Sequence, residues 1–197
     1  MTESERKQII ALIQREVIPA IGCTEPIAVA LCVAKATETL GAKPEKIKVL
    51  LSANILKNAM GVGIPGTGMI GLPIAVALGA LIGKSDYQLE VLKDSTPEAV
   101  EEGKKLIDEK RICISLKEDI TEKLYIEVTC EAGGEQATAI ISGGHTTFVY
   151  VAKGDEVLLN KQQTSGEEEE EEILELTLRK VYDFALTAPL DEIRFIL

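Results

Sequence analysis

The apolar positions in the first part of the chain recur with a helical period. Ile9, Ile13 and Val17 mark one face of a predicted helix over residues 4–17, which ends before Pro19. An alanine-rich run predicts a second helix over residues 24–40, with Gly41 after it. Similar patterns predict a strand at 46–52, a short helix at 54–60 and a buried helix at 70–82.

The second part of the chain changes to short runs typical of strands. These are predicted at 87–92, 111–116, 123–131, 136–142 and 146–152, with a charged helix at 97–110 between the first two. This pattern indicates an α+β fold with a small, mainly antiparallel sheet carrying a helix. We expect four segments: a helical part with a glycine-rich loop at 1–84, an α+β subdomain at 85–160, an acidic linker at 161–172 and a C-terminal helix at 173–197.

The charge and hydropathy of the chain exclude several classes of partner. The formal net charge is −11, and six negative charges come from the run 167–172. Because no basic patch is present, we expect no nucleic-acid partner. The longest apolar stretch, 70–82, contains Pro73 and is too short to span a membrane, which takes about 20 residues. The polar N-terminus lacks a secretory signal, so the expected location is cytoplasmic.

One of the four cysteines lies in a distinctive context. Cys23 follows Gly22 and precedes Thr24, Glu25 and Pro26 at the start of the second helix, where the helix dipole favours a thiolate. The alternative is a small core residue beside a Thr N-cap. No CxxC pair occurs, so a self-contained metal site is poorly supported. The other three are predicted to be buried: Cys32, Cys113 and Cys130.

A short helix and a glycine-rich loop could bind a small anion. Asn54, Lys57 and Asn58 share one helix face and suit an amino-acid carboxylate, although a solvated helix face is the alternative. The loop 61–71 contains five glycines, and its backbone N–H groups could hold an anion. The loop lacks the GK[ST] ending of a nucleotide-binding P-loop. Its candidate contacts are Gly66, Thr67 and Gly68.

The single histidine of the chain is the last candidate. His145 follows Gly143 and Gly144 at the end of an apolar strand and precedes Thr146. A lone histidine is often structural, but this position could reach a cleft. His145 and Lys57 are candidate general bases by residue type.

Four segments together resemble one family. They read EVIPAIGCTEPIAVA, SANILKNAMGVGIPGTGMIGLPIAVALGAL, YQLEVLKD and ISGGHTTFV. They are similar to the L-cysteine desulfidase family, which is grouped with the alpha chain of iron–sulfur L-serine dehydratases. The resemblance covers nearly the whole chain. It implies a lyase with a [4Fe–4S] cluster that eliminates hydrogen sulfide or water from a small amino acid, giving pyruvate and ammonia.

The resemblance also implies roles for particular residues. Cys23 would be a cluster ligand, and Thr24, Glu25 and Thr146 would lie in the substrate site. Family members are roughly twice as long as this chain, so the remaining ligands would lie outside it. We therefore expect this chain alone to hold no cluster. We also expect a homo-oligomer formed through apolar surface near the C-terminus.

Several alternatives stay open at the level of sequence. The chain could be a non-catalytic domain that binds or senses an amino acid through Asn54, Lys57 and the glycine loop. Nothing in the residues decides between cysteine and serine as substrate, and the general base is not fixed.

Overall fold

A computed structural model describes residues 1–161 and 176–196, which form two compact units. Residues 20–161 make up the larger unit, and residues 1–19 with 176–196 make up the smaller one. The predicted segments 1–84 and 85–160 therefore do not match the division in the structure. Most of the predicted acidic linker lies outside the described residues.

The described residues form six α-helices and eight strands, with 3-10 helices at Ser85–Glu90, Leu190–Glu192 and Arg194–Ile196. The α-helices are α1 (Glu3–Glu16), α2 (Thr24–Leu40), α3 (Ala53–Ala59), α4 (Leu72–Ile82), α5 (Pro97–Asp108) and α6 (Leu178–Thr187). The strands are β1 (Lys46–Leu51), β2 (Gly63–Ile64), β3 (Met69–Ile70), β4 (Ile112–Leu116), β5 (Tyr125–Ala132), β6 (Glu135–Ser142), β7 (Phe148–Lys153) and β8 (Glu156–Asn160).

The larger unit contains a six-stranded sheet in the order β4-β1-β5-β6-β7-β8. All neighbours are antiparallel except β1 and β4, which are parallel. The α+β fold is confirmed, and the sheet is mainly antiparallel as predicted. However, β1 comes from the first predicted segment and lies inside the sheet. It pairs with β4 on one side and β5 on the other, and its alternating burial places Ile47, Val49 and Leu51 in the core.

Two apolar helices build the core beside the sheet. Helix α2 packs on β5 and β6 and also contacts α4. A Cβ atom added to Gly79 would lie 2.6 Å from the Ala30 carbonyl oxygen, so α2 and α4 approach each other closely. This confirms the prediction that the 70–82 helix is buried. No described helix is both long and apolar enough to cross a membrane.

Three local predictions are wrong. Residues 87–92 are not a strand, because residues 85–90 form a 3-10 helix. Cys113 is exposed rather than buried, because β4 is an edge strand and Cys113 lies on its open face. The helix predicted at 70–82 begins only at Leu72, because Met69–Ile70 form β3, which pairs with β2 within the glycine loop.

The smaller unit contains α1, α6 and the two C-terminal 3-10 helices. A capping box between Thr2 and Glu5 begins α1. Arg6 pairs with Glu192 at 2.9 Å, and Lys180 pairs with Glu5 at 3.3 Å. Several apolar side chains of this unit are exposed: Leu178, Val181, Leu186, Leu190, Phe195 and Ile196.

Candidate functional site

Cys23 is the N-cap residue of α2 and makes no side-chain capping hydrogen bond. Thr24 is therefore the first helical residue rather than the cap. Gly22, immediately before Cys23, has a φ of 88°, a conformation that glycine adopts without strain. Because the Cys23 sulfur is not used to cap the helix, it is available to other groups.

The Cys23 thiol, the Glu25 carboxylate and the Asn58 amide form a chain of hydrogen bonds. Cys23 Sγ donates to Glu25 Oε2 at 3.1 Å, and Asn58 Nδ2 donates to Glu25 Oε1 at 3.3 Å. Glu25 thus joins the start of α2 to α3. The structure brings together three residues that the sequence analysis placed in two separate motifs.

The electrostatics of this contact differ from the expectation for Cys23. Burial and the hydrogen bond to the Glu25 carboxylate raise the pKa of the Cys23 thiol. The prediction that the helix N-terminus pushes this thiol toward thiolate is therefore corrected, because partial burial and the neighbouring carboxylate outweigh the dipole. The hydrogen bond from Cys23, together with the Asn58 amide and the charge of His145, lowers the pKa of Glu25.

His145 lies in the β6–β7 connection, close enough for its charge to act on Glu25. This connection is anchored at its start, because the Gly143 N–H and the Ser142 hydroxyl both donate to the Leu124 carbonyl, at 3.2 and 3.3 Å. Both His145 and the adjacent Thr146 are half-buried. We call Cys23, Glu25, Asn58 and His145 the Cys23 cluster.

The glycine loop borders the same region through Pro65. A Cβ atom added to Gly22 would lie 2.9 Å from Pro65 Cγ, so the loop touches the residue before Cys23. Gly66 and Gly68 have φ angles of 77° and 65° and are exposed.

The hydroxyl of Thr67 is used within the loop itself. Thr67 Oγ1 donates to the Ile64 carbonyl at 2.7 Å and accepts from the Met69 N–H at 3.0 Å. These bonds shape the turn between β2 and β3, so the Thr67 side chain has a structural task in this loop. The Thr67 N–H also donates to the Ile64 carbonyl, at 3.2 Å, so Thr67 has neither group free for the predicted anion contact, which stays a prediction for Gly66 and Gly68.

The side chains of Asn54, Lys57 and Asn58 on α3 point to different places. The Ser52 hydroxyl caps this helix, accepting from the Ile55 N–H at 3.5 Å. Asn58 reaches Glu25, whereas Asn54 lines a cleft of about 550 Å³ together with the 116–123 segment. Lys57 is exposed on the same helix. Of these three side chains on α3, only Asn58 is therefore hydrogen-bonded to Glu25 and belongs to the Cys23 cluster.

The remaining cysteines do not complete a metal site. Cys32 is buried and donates to the Ala139 carbonyl at 3.3 Å, and burial raises its pKa well above the usual value. Burial also raises the pKa of Cys130 to about 11. Cys113 lies exposed on β4. Within residues 1–161 and 176–196, no three Cys, His, Asp or Glu side chains are arranged to hold a metal ion.

Two contacts near Cys23 were not predicted. One is the packing of Gly22 on Pro65, and the other is a hydrogen bond from the Ile21 N–H to the Leu89 carbonyl at 3.0 Å. Gly22 is the sequence signal for the first contact, because a glycine allows close approach of other atoms to the backbone. The second joins backbone atoms far apart in sequence, and no residue type signals it.

The chain is similar over its full length to several proteins named UPF0597 protein. It is 99% identical over 197 residues to one from Bacteroides fragilis, 81% to one from Bacteroides thetaiotaomicron, and 48% over 203 residues to one from Porphyromonas gingivalis. It covers 46%, 46% and 47% of these relatives, so it spans about half their length. No family model matches the chain. The names of these relatives state no activity, and the resemblance to L-cysteine desulfidases stays a prediction.

Proposed function

We propose that this chain is the N-terminal part of an iron–sulfur lyase. The lyase would eliminate hydrogen sulfide from L-cysteine, or water from L-serine, to give pyruvate and ammonia. The observation that supports this most is the Cys23 cluster, in which a thiol, a carboxylate and an amide are joined by hydrogen bonds beside the only histidine of the chain. We include a cytoplasmic location and a homo-oligomer in the proposal.

Among the four cysteines of this chain, Cys23 is the one placed like a cluster ligand. A [4Fe–4S] cluster is held by about four cysteine thiolates, or by three where one iron stays open. Cys23 is the one half-buried cysteine at a helix start, while Cys32 and Cys130 are sealed in the core. We therefore assign Cys23 as one ligand and place the others in the part of the longer protein outside this chain. When bound, such a cluster supplies Lewis-acid chemistry toward the substrate.

The residues of this chain would bind the substrate and move protons. The Asn58 amide fixes Glu25, and Glu25 Oε2 accepts the hydrogen bond that orients the Cys23 sulfur. When the sulfur becomes a ligand, its proton would be released to solvent. Backbone N–H groups of Gly66 and Gly68 are candidates for the substrate carboxylate, with Thr24 and Thr146 as further predicted contacts. Asn54 is left out because it lines the cleft formed with residues 116–123.

The reaction requires a base for the proton on the α-carbon. Lys57 and His145 are the candidates by residue type, and His145 is the one that lies close enough to Glu25 to act on it electrostatically. Either side chain would have to be neutral to accept the proton. Loss of the α-proton and cleavage of the β-carbon–sulfur bond release hydrogen sulfide and leave an enamine. The enamine tautomerises to an imine, which water hydrolyses to pyruvate and ammonia.

The proposal is tested with the full-length Bacteroides fragilis relative, reconstituted anaerobically with iron and sulfide. We expect pyruvate from L-cysteine, with stoichiometric sulfide, or pyruvate from L-serine. Binding of either amino acid without pyruvate, in a protein that contains its cluster, would contradict the lyase. That result would favour the alternative of an amino-acid-binding regulatory domain.

A further inference from the structure

Gln88 has a backbone conformation that its side chain disfavours. Its φ of 52° and ψ of −128° lie in a region where glycine is strongly preferred, at a position inside the 3-10 helix Ser85–Glu90. Its side chain is exposed. Strain of this kind persists only where the surrounding structure fixes it, so the neighbours of Gln88 should explain it.

The segment around Gln88 is tied to both ends of α2. At its start, Ser85 donates from its backbone N–H at 2.7 Å and from its hydroxyl at 2.5 Å to the Glu38 carboxylate, near the end of α2. At its other end, the Leu89 carbonyl accepts from the Ile21 N–H, two residues before Cys23. The Leu89 side chain is buried, which fixes the position of that carbonyl.

The residues before Cys23 are held from two directions. The Ile21 N–H is bound to Leu89, and Gly22 packs against Pro65 of the glycine loop. Cys23 makes no side-chain capping bond, so these backbone contacts and the hydrogen bond to Glu25 at 3.1 Å together set where its sulfur lies. The dihedral angles of Gln88 set the path of the backbone into Leu89, and with the dihedral angles of Leu89 itself they determine the direction of its carbonyl.

We propose that Gln88 is a positioning residue for Cys23. Its positive-φ backbone directs the Leu89 carbonyl toward Ile21, and this hydrogen bond keeps the Cys23 sulfur against Glu25. The inference takes its functional meaning from the role proposed for Cys23. The structural part of the inference concerns only residues of this chain. It can therefore be tested on protein that contains no cluster and without measuring turnover.

The test compares two substitutions at Gln88 with two at a control position. Gln88→Val disfavours the positive-φ conformation because of its branched Cβ, whereas Gln88→Gly permits it. Lys110 is the matched control, since it is also exposed, has a φ of 55°, and lies between α5 and β4. Lys110→Val and Lys110→Gly make the same changes away from Ile21.

The main readout is the alkylation rate of each cysteine at one fixed pH, followed by mass spectrometry. Exposed Cys113 reports reagent reactivity, buried Cys32 and Cys130 report global opening, and Cys23 reports the local change. Hydrogen exchange at the Ile21 amide reports the bond to Leu89 directly.

We expect Gln88→Val to raise the alkylation rate of Cys23 by about tenfold, the factor that corresponds to a strain of about 1.4 kcal/mol. The Ile21 amide should lose protection, while Cys32 and Cys130 stay protected. Gln88→Gly should keep the wild-type rate at Cys23, and neither Lys110 variant should change it.

Three results would overturn the inference. These are an unchanged Cys23 rate in Gln88→Val, an equal rise in Lys110→Val, or a joint rise at Cys23, Cys32 and Cys130. The last would mean that Gln88 supports only the fold as a whole. A failure of the proposed lyase activity would leave the alkylation result intact, so the two failures are distinguishable.

Discussion

The thiol of Cys23 donates a hydrogen bond to the carboxylate of Glu25, with 3.1 Å between Sγ and Oε2. A helix N-terminus alone would favour the thiolate, yet here a carboxylate two residues into the helix faces the same sulfur. Burial and this contact together raise the pKa of the Cys23 thiol, and the contact also stabilises the charge on Glu25. The electrostatics at Cys23 therefore follow from burial and the Glu25 carboxylate rather than from the helix dipole.

Replacing Glu25 with glutamine should lower the pKa of Cys23. Burial raises this pKa, and the Glu25 carboxylate raises it further by repelling the thiolate and accepting its proton. The neutral amide of the Glu25→Gln variant would remove the charge and leave only burial. Each unit of decrease gives about a tenfold larger thiolate fraction below the pKa.

The measurement for this prediction is the pH dependence of Cys23 alkylation. Its midpoint should move to lower pH in Glu25→Gln. Glu38→Gln is the matched control, because Glu38 also lies on α2 but binds Ser85 at the other end of the helix. A midpoint that does not move, or that moves equally in both variants, would argue against the role assigned to Glu25.

Gly22→Ala should destabilise the larger unit. Alanine at a φ of 88° is strained by about 1–2 kcal/mol, and its Cβ would meet Pro65 Cγ at 2.9 Å. Gly66→Ala separates the backbone strain from the contact with Pro65, because Gly66 has a φ of 77° but open space around it. In urea unfolding we expect Gly22→Ala to lose at least about 1 kcal/mol more than Gly66→Ala. Equal losses would mean that the contact with Pro65 is unimportant.

Gly79→Ala should be destabilising although alanine is the better helix former by about 1 kcal/mol. Its Cβ would lie 2.6 Å from the Ala30 carbonyl oxygen, so α2 and α4 would have to separate, at a cost of about 1–3 kcal/mol.

Gly103→Ala is the control on α5. Its Cβ would meet the flexible end of Ile74 at 3.1 Å, which can move aside, and Ala77 Cβ at 3.3 Å. Both contacts are milder than the 2.6 Å approach to a backbone oxygen at Gly79. Thermal unfolding should show a clear loss for Gly79→Ala and a smaller change, or none, for Gly103→Ala. A stabilised Gly79→Ala protein would contradict the close approach of the two helices.

The sequence pattern predicted most elements because their periods were regular. Helix α2 begins and ends at the predicted residues, since its apolar run is bounded by the Cys23 turn and by Gly41. The pairing of β1 with β4 was not predictable, because parallel pairing depends on how intervening helices pack. Residues 87–92 have a strand-like composition, but the 3-10 helix at 85–90 packs against α2, and these contacts override that preference.

The candidate site was predictable as a set of motifs but not as a geometry. The motif around Cys23, α3, the glycine loop and His145 were each identified from the sequence. The convergence of Cys23, Asn58 and His145 on Glu25, and the division between Asn58 at Glu25 and Asn54 at the cleft, depend on the tertiary fold. The direction of the Cys23 pKa shift was missed, because it requires the distance to Glu25.

The expected self-association is tested through the apolar residues of the smaller unit. Leu186 and Leu190 are 67% and 79% exposed, and such surface tends to be covered. We expect a dimer or larger species of the 197-residue chain at micromolar concentration in sedimentation velocity. Leu186→Glu with Leu190→Glu should shift it toward monomer, because burying charge in an apolar contact is costly. A wild-type monomer, or an assembly unaffected by both changes, would contradict this.

The most direct test of the central claim exchanges single cysteines in the full-length Bacteroides fragilis relative. Cys23→Ser and Cys113→Ser are made at the equivalent positions, and the proteins are reconstituted anaerobically. The measurements are the cluster absorbance per protein and the rate of pyruvate formation from L-cysteine and L-serine. The account predicts that Cys113→Ser resembles the wild type, because Cys113 is an exposed residue of an edge strand, whereas Cys23→Ser loses pyruvate formation and an intact cluster. Wild-type cluster content and turnover in Cys23→Ser would contradict it.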